Sequence, residues 1–269
     1  MADADTDDGI LARDAALLAE AVREAGALAL SLFRTELKNW IKGASSPVSE
    51  ADIAVNDLLE QRLRSATPDY GWLSEESADD QARLGKRMVW IVDPIDGTRS
   101  YLAGREDWCV SVALVENAAP VLAAVFAPAS KEFFFAARGQ GSTRNGIAVR
   151  VTAGTDLDFS RMAGPKPLLQ RLSPSTQEIT LHPRIGSLAL RLCRVAHGEL
   201  DAAFAGGNSH DWDLAAANLI VQEADGKMTA LSGHAIEYNR RELAHGVLVA
   251  AGHDRHARIV EHFRNRPLR

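Results

Sequence analysis

Residues 88 to 99 read Met-Val-Trp-Ile-Val-Asp-Pro-Ile-Asp-Gly-Thr-Arg. A hydrophobic run ends there in two carboxylates, Asp93 and Asp96, and then a Gly-Thr step, Gly97 and Thr98. The run has the length and β-branched content of a buried strand. Pro94 cannot extend a central strand, which predicts that the chain turns there. Two carboxylates at such a strand end could share one or two hard cations, because Mg²⁺ and Ca²⁺ favour oxygen ligands. Gly97 would let the backbone come near a ligand, and amides opening a helix would face an anion. Asp-Pro and Asp-Gly are also ordinary turn dipeptides, so this segment alone leaves chemistry and a plain turn evenly matched.

Three other segments carry acids at element ends. Residues 72–77, Trp-Leu-Ser-Glu-Glu-Ser, place Glu75 and Glu76 after a short apolar approach. Residues 46–52, Ser-Pro-Val-Ser-Glu-Ala-Asp, put Asp52 at the mouth of a helix, and residues 211–217 put Asp213 at another. Each has a structural alternative. Ser49 and Asp52 fit a variant of the capping box, and Asp211 and Asp213 complement a helix dipole. Glu75 and Glu76 fit a solvated loop running on to Asp79 and Asp80. Four acid-bearing ends in one chain shift the balance toward a shared site, where crowded carboxylates would repel unless cations neutralised them.

Taken in order, the four segments resemble the inositol monophosphatase superfamily of Mg²⁺-dependent, lithium-sensitive phosphomonoesterases. Trp-x-x-Asp-Pro-Ile-Asp-Gly-Thr stands from Trp90 to Thr98, and Glu-Glu-Ser from Glu75 to Ser77. Ser46 to Asp52 matches with serine at 49 in place of threonine, and Trp-Asp-x-Ala-Ala runs from Trp212 to Ala216. The resemblance covers roughly residues 10 to 252 and is highly specific.

It implies a layered α-β-α-β-α sandwich. It implies metal ligands at Glu76, Asp93, the carbonyl of Ile95, Asp96 and Asp213, holding two or three Mg²⁺ ions. Thr98 bonded to Asp52, with Glu76 nearby, would orient the attacking water. Gly97, Thr98, Arg99, Gly186, Ser187 and Asp213 would contact phosphate or substrate. Direct hydrolysis leaves little covalent chemistry to the protein.

The implied partner is a small phosphorylated metabolite, and a homodimer is expected. Adenosine 3′,5′-bisphosphate leads, followed by inositol-1-phosphate and then histidinol phosphate. Arg99 follows the Gly-Thr step, where the nucleotidase and histidinol-phosphatase branches carry basic residues. Lys166, Arg171 and Arg184 could supply a second phosphate site. Gly206 stands seven residues before Asp213, where animal-type inositol monophosphatases carry a glutamate that contacts the inositol ring. A non-catalytic interaction protein is the contrasting class, and the intact carboxylates argue against it.

The elements that must position these residues can be read more coarsely. At 269 residues the chain suffices for one large domain or two coupled halves. A hydrophobic content of 46% with 25% charged residues is that of an ordinary globular protein. The net charge of −6 disfavours a nucleic-acid polymer as partner. Cys109 and Cys193 read as reduced core thiols, which with the acidic start suggests a cytoplasmic protein. No apolar run reaches membrane-spanning length.

Residues 1–9 are expected to form a disordered acidic leader, 10–152 an α+β half carrying the metal site, and 153–269 an α/β half completing it. Helices are predicted over 10–34, 50–65, 166–173, 186–198, 211–224 and 254–264. Strands are predicted over 88–92, 108–115, 121–127, 132–137, 201–205 and 245–251, the first four forming antiparallel hairpins. Gly226 is expected as a helix C-cap, and Gly139-Gln140-Gly141 as a hairpin turn rather than a phosphate loop. His253 and His256 read as a solvated pair. His210 reads as a structural or substrate-edge residue.

Overall fold

In a computed structural model that describes residues 2–43, 46–157, 160–172, 180–181 and 183–266, the chain opens with helix α1 (Ala2–Leu32). Strands β1 (Asn39–Lys42) and β2 (Ser46–Ser49) and helix α2 (Glu50–Ala66) follow. Next come β3 (Gly71–Ser74), β4 (Met88–Asp96) and the short helix α3 (Thr98–Leu102). A meander of β5 (Cys109–Glu116), β6 (Ala119–Ala127), β7 (Glu132–Ala137), β8 (Ser142–Arg144) and β9 (Ile147–Ala148) completes the first half. The second half runs β10 (Arg161–Ala163), α4 (Lys166–Leu172), β11 (Thr180–Leu181), α5 (Leu188–Ala196) and β12 (Ala202–Ala205). It ends with β13 (Ser209–His210), α6 (Asp211–Glu223), β14 (Gly226–Ala230), β15 (Ala244–His245), β16 (Leu248–Gly252) and α7 (His253–Asn265).

Alternation along the central strands sets the layers. Strands β3 to β9 form one seven-stranded sheet in chain order, antiparallel except for the β3–β4 pair. In β4, Trp90 and Val92 point to one face, Val89 and Ile91 to the other. In β5, Val110, Val112 and Leu114 join the first face, Cys109, Ala113 and Val115 the second. The first face packs on α1 and α2 through Leu18, Val22, Val55 and Leu59. The second meets α5 and α6 through Leu192, Val195, Ala216 and Ile220.

Those two helices are sandwiched again by Ala203, Ala205, Leu248 and Ala250 of a second sheet, ordered β11-β10-β12-β16-β14. This is why Leu214 to Val221 is buried all round, as a helix interior to two sheets must be. The outer face of the second sheet, with Phe204 and Val249, is covered by α4 and α7. Five layers result, α-β-α-β-α. Cys109 and Cys193 are buried free thiols.

Some expectations meet a different structure. Past α6 it is Asp225, with φ 62°, that takes the left-handed position. Gly226 starts β14 instead, in close contact with Val151 and Val221. His256 is not solvated: it is 2% exposed and shares a 2.9 Å hydrogen bond with Thr229 Oγ1. The hairpin turn expected at 139–141 is present between β7 and β8, the Gly139 and Gly141 amides bonded to the Glu223 carboxylate at 2.8 Å.

Candidate active site

Two residues three apart on a regular strand point to opposite faces. Asp93 and Asp96 escape that rule through a bulge. Asp93 pairs with Ser111 and Asp96 with Cys109, so three steps on β4 oppose two on β5. Pro94 has no N–H to give a ladder, and it sits inside the irregularity. The strand does not end at Pro94, as its sequence suggests; it kinks there. Both acids therefore share the face that carries α5 and α6.

Helix α6 brings the third acid. One oxygen each from Asp93, Asp96 and Asp213 lies within 4.8 Å of the others. Asp213 Oδ2 accepts a 2.6 Å bond from the His210 amide, capping α6 and leaving its other oxygen to the cluster. Asp96 Oδ2 accepts from Ser187 Oγ and the Ala189 amide, both at 2.6 Å, so the first turn of α5 anchors it. Asp93 Oδ1 is buried and has no hydrogen-bond partner.

Parallel pairing of β3 and β4 decides between the two glutamates. Leu73 pairs with Ile91 on the α5/α6 face, and the Glu75 amide donates to Val92 O at 3.2 Å. By the same alternation Glu75 shares the Asp93 face, and it lines the cavity. Glu76 points the other way, where Lys42 on β1 pairs with it at 3.3 Å. Lys42 also donates to the Glu75 carbonyl. The resemblance had placed Glu76 among the ligands. It is Glu75, not Glu76, that lines the acidic cavity.

Electrostatics mark the same group. Burial pushes the Glu75 carboxyl up to about 8, reinforced by Asp213, Glu76 and Asp96. Burial likewise raises Asp213 to about 7, with Asp96 adding repulsion. Asp93 is held well above the carboxylate range by burial and by Glu75, Asp96 and Asp213. Like charges crowded out of water favour protons or cations. The donors are all oxygen, which suits a hard divalent ion such as Mg²⁺. Glu75, Asp93, Asp96 and Asp213, with Ile95 beside them on the cavity wall, fit such an ion.

Asp52 divides its two oxygens between structure and site. Oδ2 accepts from the Ser49 amide at 2.8 Å and Ser49 Oγ at 2.6 Å, forming the α2 capping box. Oδ1 faces Thr98 Oγ1 at 3.1 Å. Thr98 Oγ1 also reaches Ile95 O at 3.0 Å, and its one proton serves a single acceptor at a time. Burial raises the Asp52 carboxyl although its hydrogen bonds pull the other way.

Gly97, with φ 97°, caps α3 in a conformation that disfavours side chains. The cavity over these groups measures about 350 Å³, and Arg99, Arg105, Arg184, Gly186 and Asn208 also line it. Ser187 does not reach it as a substrate contact: its side chain is fully buried, bonded to Asp96 and capping α5. Lys166 and Arg184 line an adjoining cavity of about 480 Å³. Arg171 lies apart, donating to the Arg266 carbonyl at 3.3 Å. His210 is half-buried and stacks on Trp212 with ring centroids 4.8 Å apart. Arg105 and Asn208 carried no motif that could reveal them in the sequence.

Sequence comparison extends this match over nearly the whole chain: the profile of the inositol monophosphatase family matches residues 11–268. The chain belongs to the inositol monophosphatase family. Members of this family hydrolyse phosphate monoesters, and this chain is a phosphatase of that type. It is 34% identical to "Nus factor SuhB" of Xylella fastidiosa over 231 residues, covering 81% of this chain and 82% of that protein. It is 32% identical to "3′(2′),5′-bisphosphate nucleotidase CysQ" of Salmonella typhimurium over 207 residues, covering 75% and 83%. The crystal structure of extragenic suppressor protein suhB from Bartonella henselae superimposes with a TM-score of 0.81 at 27% identity, over 91% of this chain and 96% of that one. Its sandwich is that of the inositol monophosphatase fold. Among the described residues no helix is long and apolar enough to cross a membrane.

Proposed function

We propose that this family member is a Mg²⁺-dependent phosphomonoesterase whose site carries two or three ions and whose leading substrate is adenosine 3′,5′-bisphosphate. The observation that carries the metal reading is the partnerless Asp93 Oδ1, buried among Glu75, Asp96 and Asp213. When bound, Mg²⁺ would neutralise these acids, hold phosphate oxygens and lower the pKa of a water. Asp52 then serves as the acceptor for the Thr98 hydroxyl proton. That arrangement turns a Thr98 lone pair toward the cavity, where it can take a hydrogen bond from the attacking water and align it. Gly97 and Thr98 amides at the start of α3 face the phosphate. Glu75, rather than Glu76, is the glutamate assigned to the metals.

The bisphosphate reading rests on the cations. Arg184 lines both the acidic cavity and its neighbour, and Lys166 lines the neighbour, so a second phosphate has a basic place to sit. Gly206 offers no carboxylate for a polyol ring. Inositol-1-phosphate is the second reading and histidinol phosphate the third. The deciding assay measures phosphate release from all three and from fructose-1,6-bisphosphate, with and without Mg²⁺. Adenosine 3′,5′-bisphosphate should show the highest kcat/KM. Arg184→Ala should lower that value roughly tenfold to a hundredfold, as loss of a charge-assisted contact does, and affect inositol-1-phosphate far less. A wild-type preference for inositol-1-phosphate overturns the nucleotidase reading, and absence of Mg²⁺-dependent release overturns the mechanism.

A further inference from the structure

We infer that Asp107 is a positioning residue that clamps the start of α5, so that Asp96 presents one oxygen to the metal cluster; this rests on the Mg²⁺ reading of that cluster. Asp107 lies in the loop after α3, at no motif in the sequence. Its carboxylate Oδ2 accepts from the Gly186 amide, and its carbonyl accepts from the Ser187 amide at 3.1 Å. Its Oδ1 faces Arg105 Nε at 3.3 Å, and Arg105 is tied in turn to Ser100 Oγ at 2.6 Å. The two segments lie in close contact. A side chain at Gly186 would overlap Ser100 Oγ, and one at Gly97 would come within 3.1 Å of both Asp107 O and Ser187 N.

The consequence passes along a short chain of bonds. Gly186 and Ser187 fix where α5 begins. Ser187 Oγ and the Ala189 amide then hold Asp96 Oδ2, while Leu190 donates to Ser187 Oγ at 2.9 Å. The start of α5 thus holds one Asp96 oxygen, and with it the direction of the other. Groups that orient a metal ligand this way typically change metal affinity about tenfold to a hundredfold when lost. Asp107 touches neither metal nor phosphate, so its loss should weaken ion binding without removing chemistry.

The test is Mg²⁺ titration of the whole protein by calorimetry, together with the Mg²⁺ concentration that half-saturates turnover. Asp107→Ala should weaken Mg²⁺ about tenfold and leave kcat at saturating Mg²⁺ within about twofold. Asp107→Asn should bind like wild type, because its amide oxygen still accepts from Gly186. Ser187→Ala should weaken Mg²⁺ in the same direction, and the double variant should lose less than the two singles together, since both act through one carboxylate. Should Asp107→Ala lose its fold in a melt without Mg²⁺, Asp107→Ser is read in its place, its hydroxyl too short to reach Gly186. Unchanged Mg²⁺ binding in the alanine variant, an asparagine variant as weak as alanine, or strictly additive losses would overturn the clamp. A wild type that binds no Mg²⁺ would instead sink the metal reading itself.

Discussion

Two acid sites in this fold show what burial alone does not decide. At the cavity, Glu75, Asp93, Asp96 and Asp213 crowd together, their carboxyls are pushed up, and Asp93 Oδ1 has no partner. Just before β12, Asp201 is buried too, at 8% exposure. Yet it accepts from Thr152 Oγ1 and the Arg161 amide, each at 2.7 Å, and from the Arg161 guanidinium at 3.1 Å. Burial pushes its carboxyl up, but those bonds win and leave it below the usual range. A satisfied buried acid stabilises the fold. An unsatisfied group of them stores repulsion for a ligand to relieve.

Neutralising one acid in each place should break the comparison most sharply. Asp93→Asn removes a charge from the crowded side and should cost about a thousandfold or more in kcat/KM, roughly 4 kcal/mol of barrier. Its metal-free Tm should hold or rise, because repulsion falls. Asp201→Asn should do the reverse, losing about 1–3 kcal/mol of stability while turnover stays within a few-fold. Thermal melts without Mg²⁺ and turnover with saturating Mg²⁺ read both effects. Near-normal turnover by Asp93→Asn would remove the cluster from the chemistry.

The next contrast lies within one dipeptide. Glu75→Gln should lose at least a hundredfold in activity and bind Mg²⁺ more weakly. Glu76→Gln, which breaks only the Lys42 pair, should stay within roughly tenfold. Comparable losses in both would return Glu76 to the metals.

That dipeptide also shows what could be read from the sequence and what could not. The motif located both glutamates, but the resemblance assigned the metals to Glu76, the one that turns away from the cavity. That difference follows from β3 running parallel to β4 in register Leu73 to Ile91, a pairing that local sequence does not reveal. Ser49 and Asp52 looked like either a cap or a site; the structure uses one carboxylate for both, an oxygen to each. Pro94 announced an interruption correctly, but whether a strand ends or bulges depends on its neighbour β5. The strands from β4 to β7 were legible because their alternation is local. So was the turn at Asn145-Gly146, where both residues have positive φ, although the short β8 and β9 on either side of it were not. Arg105, Asp107 and Asn208 were invisible, being loop residues brought to the cavity or its wall by tertiary contacts.

The two acid sites should also differ in the sign of their pH response. Glu75, near 8 in the folded protein, and Asp213, near 7, hold protons there that the unfolded chain releases at about 4.5 and 3.8. Their favourable contribution is complete below those lower values and is lost as pH rises through the folded ones. Without Mg²⁺, stability should therefore fall between about pH 4.5 and 8, by up to ~1.4 kcal/mol per pH unit for each titrating group. Mg²⁺ should flatten that limb, since the bound ion favours the ionised acids. A metal-free protein that gains stability across this range would contradict the crowding. Asp201, lowered in the fold, contributes stability above its unfolded value and loses it as pH falls below about 4.

The smallest effect belongs to His256, which has no part in the site. Burial lowers its imidazole to about 4 against 6.5 in the unfolded chain, with Lys227 and His253 adding repulsion. The neutral ring shares its hydrogen bond with Thr229, so protonation favours the unfolded state. Its contribution is intact above pH 6.5 and shrinks as pH falls toward 4, opposite in sign to the Glu75 limb over the range they share. His256→Gln keeps a polar partner for Thr229 but cannot titrate. Its melting curve should lose the part of the acid limb between pH 6.5 and 4 while its turnover matches wild type. A variant with the wild-type acid limb would show that another group carries it.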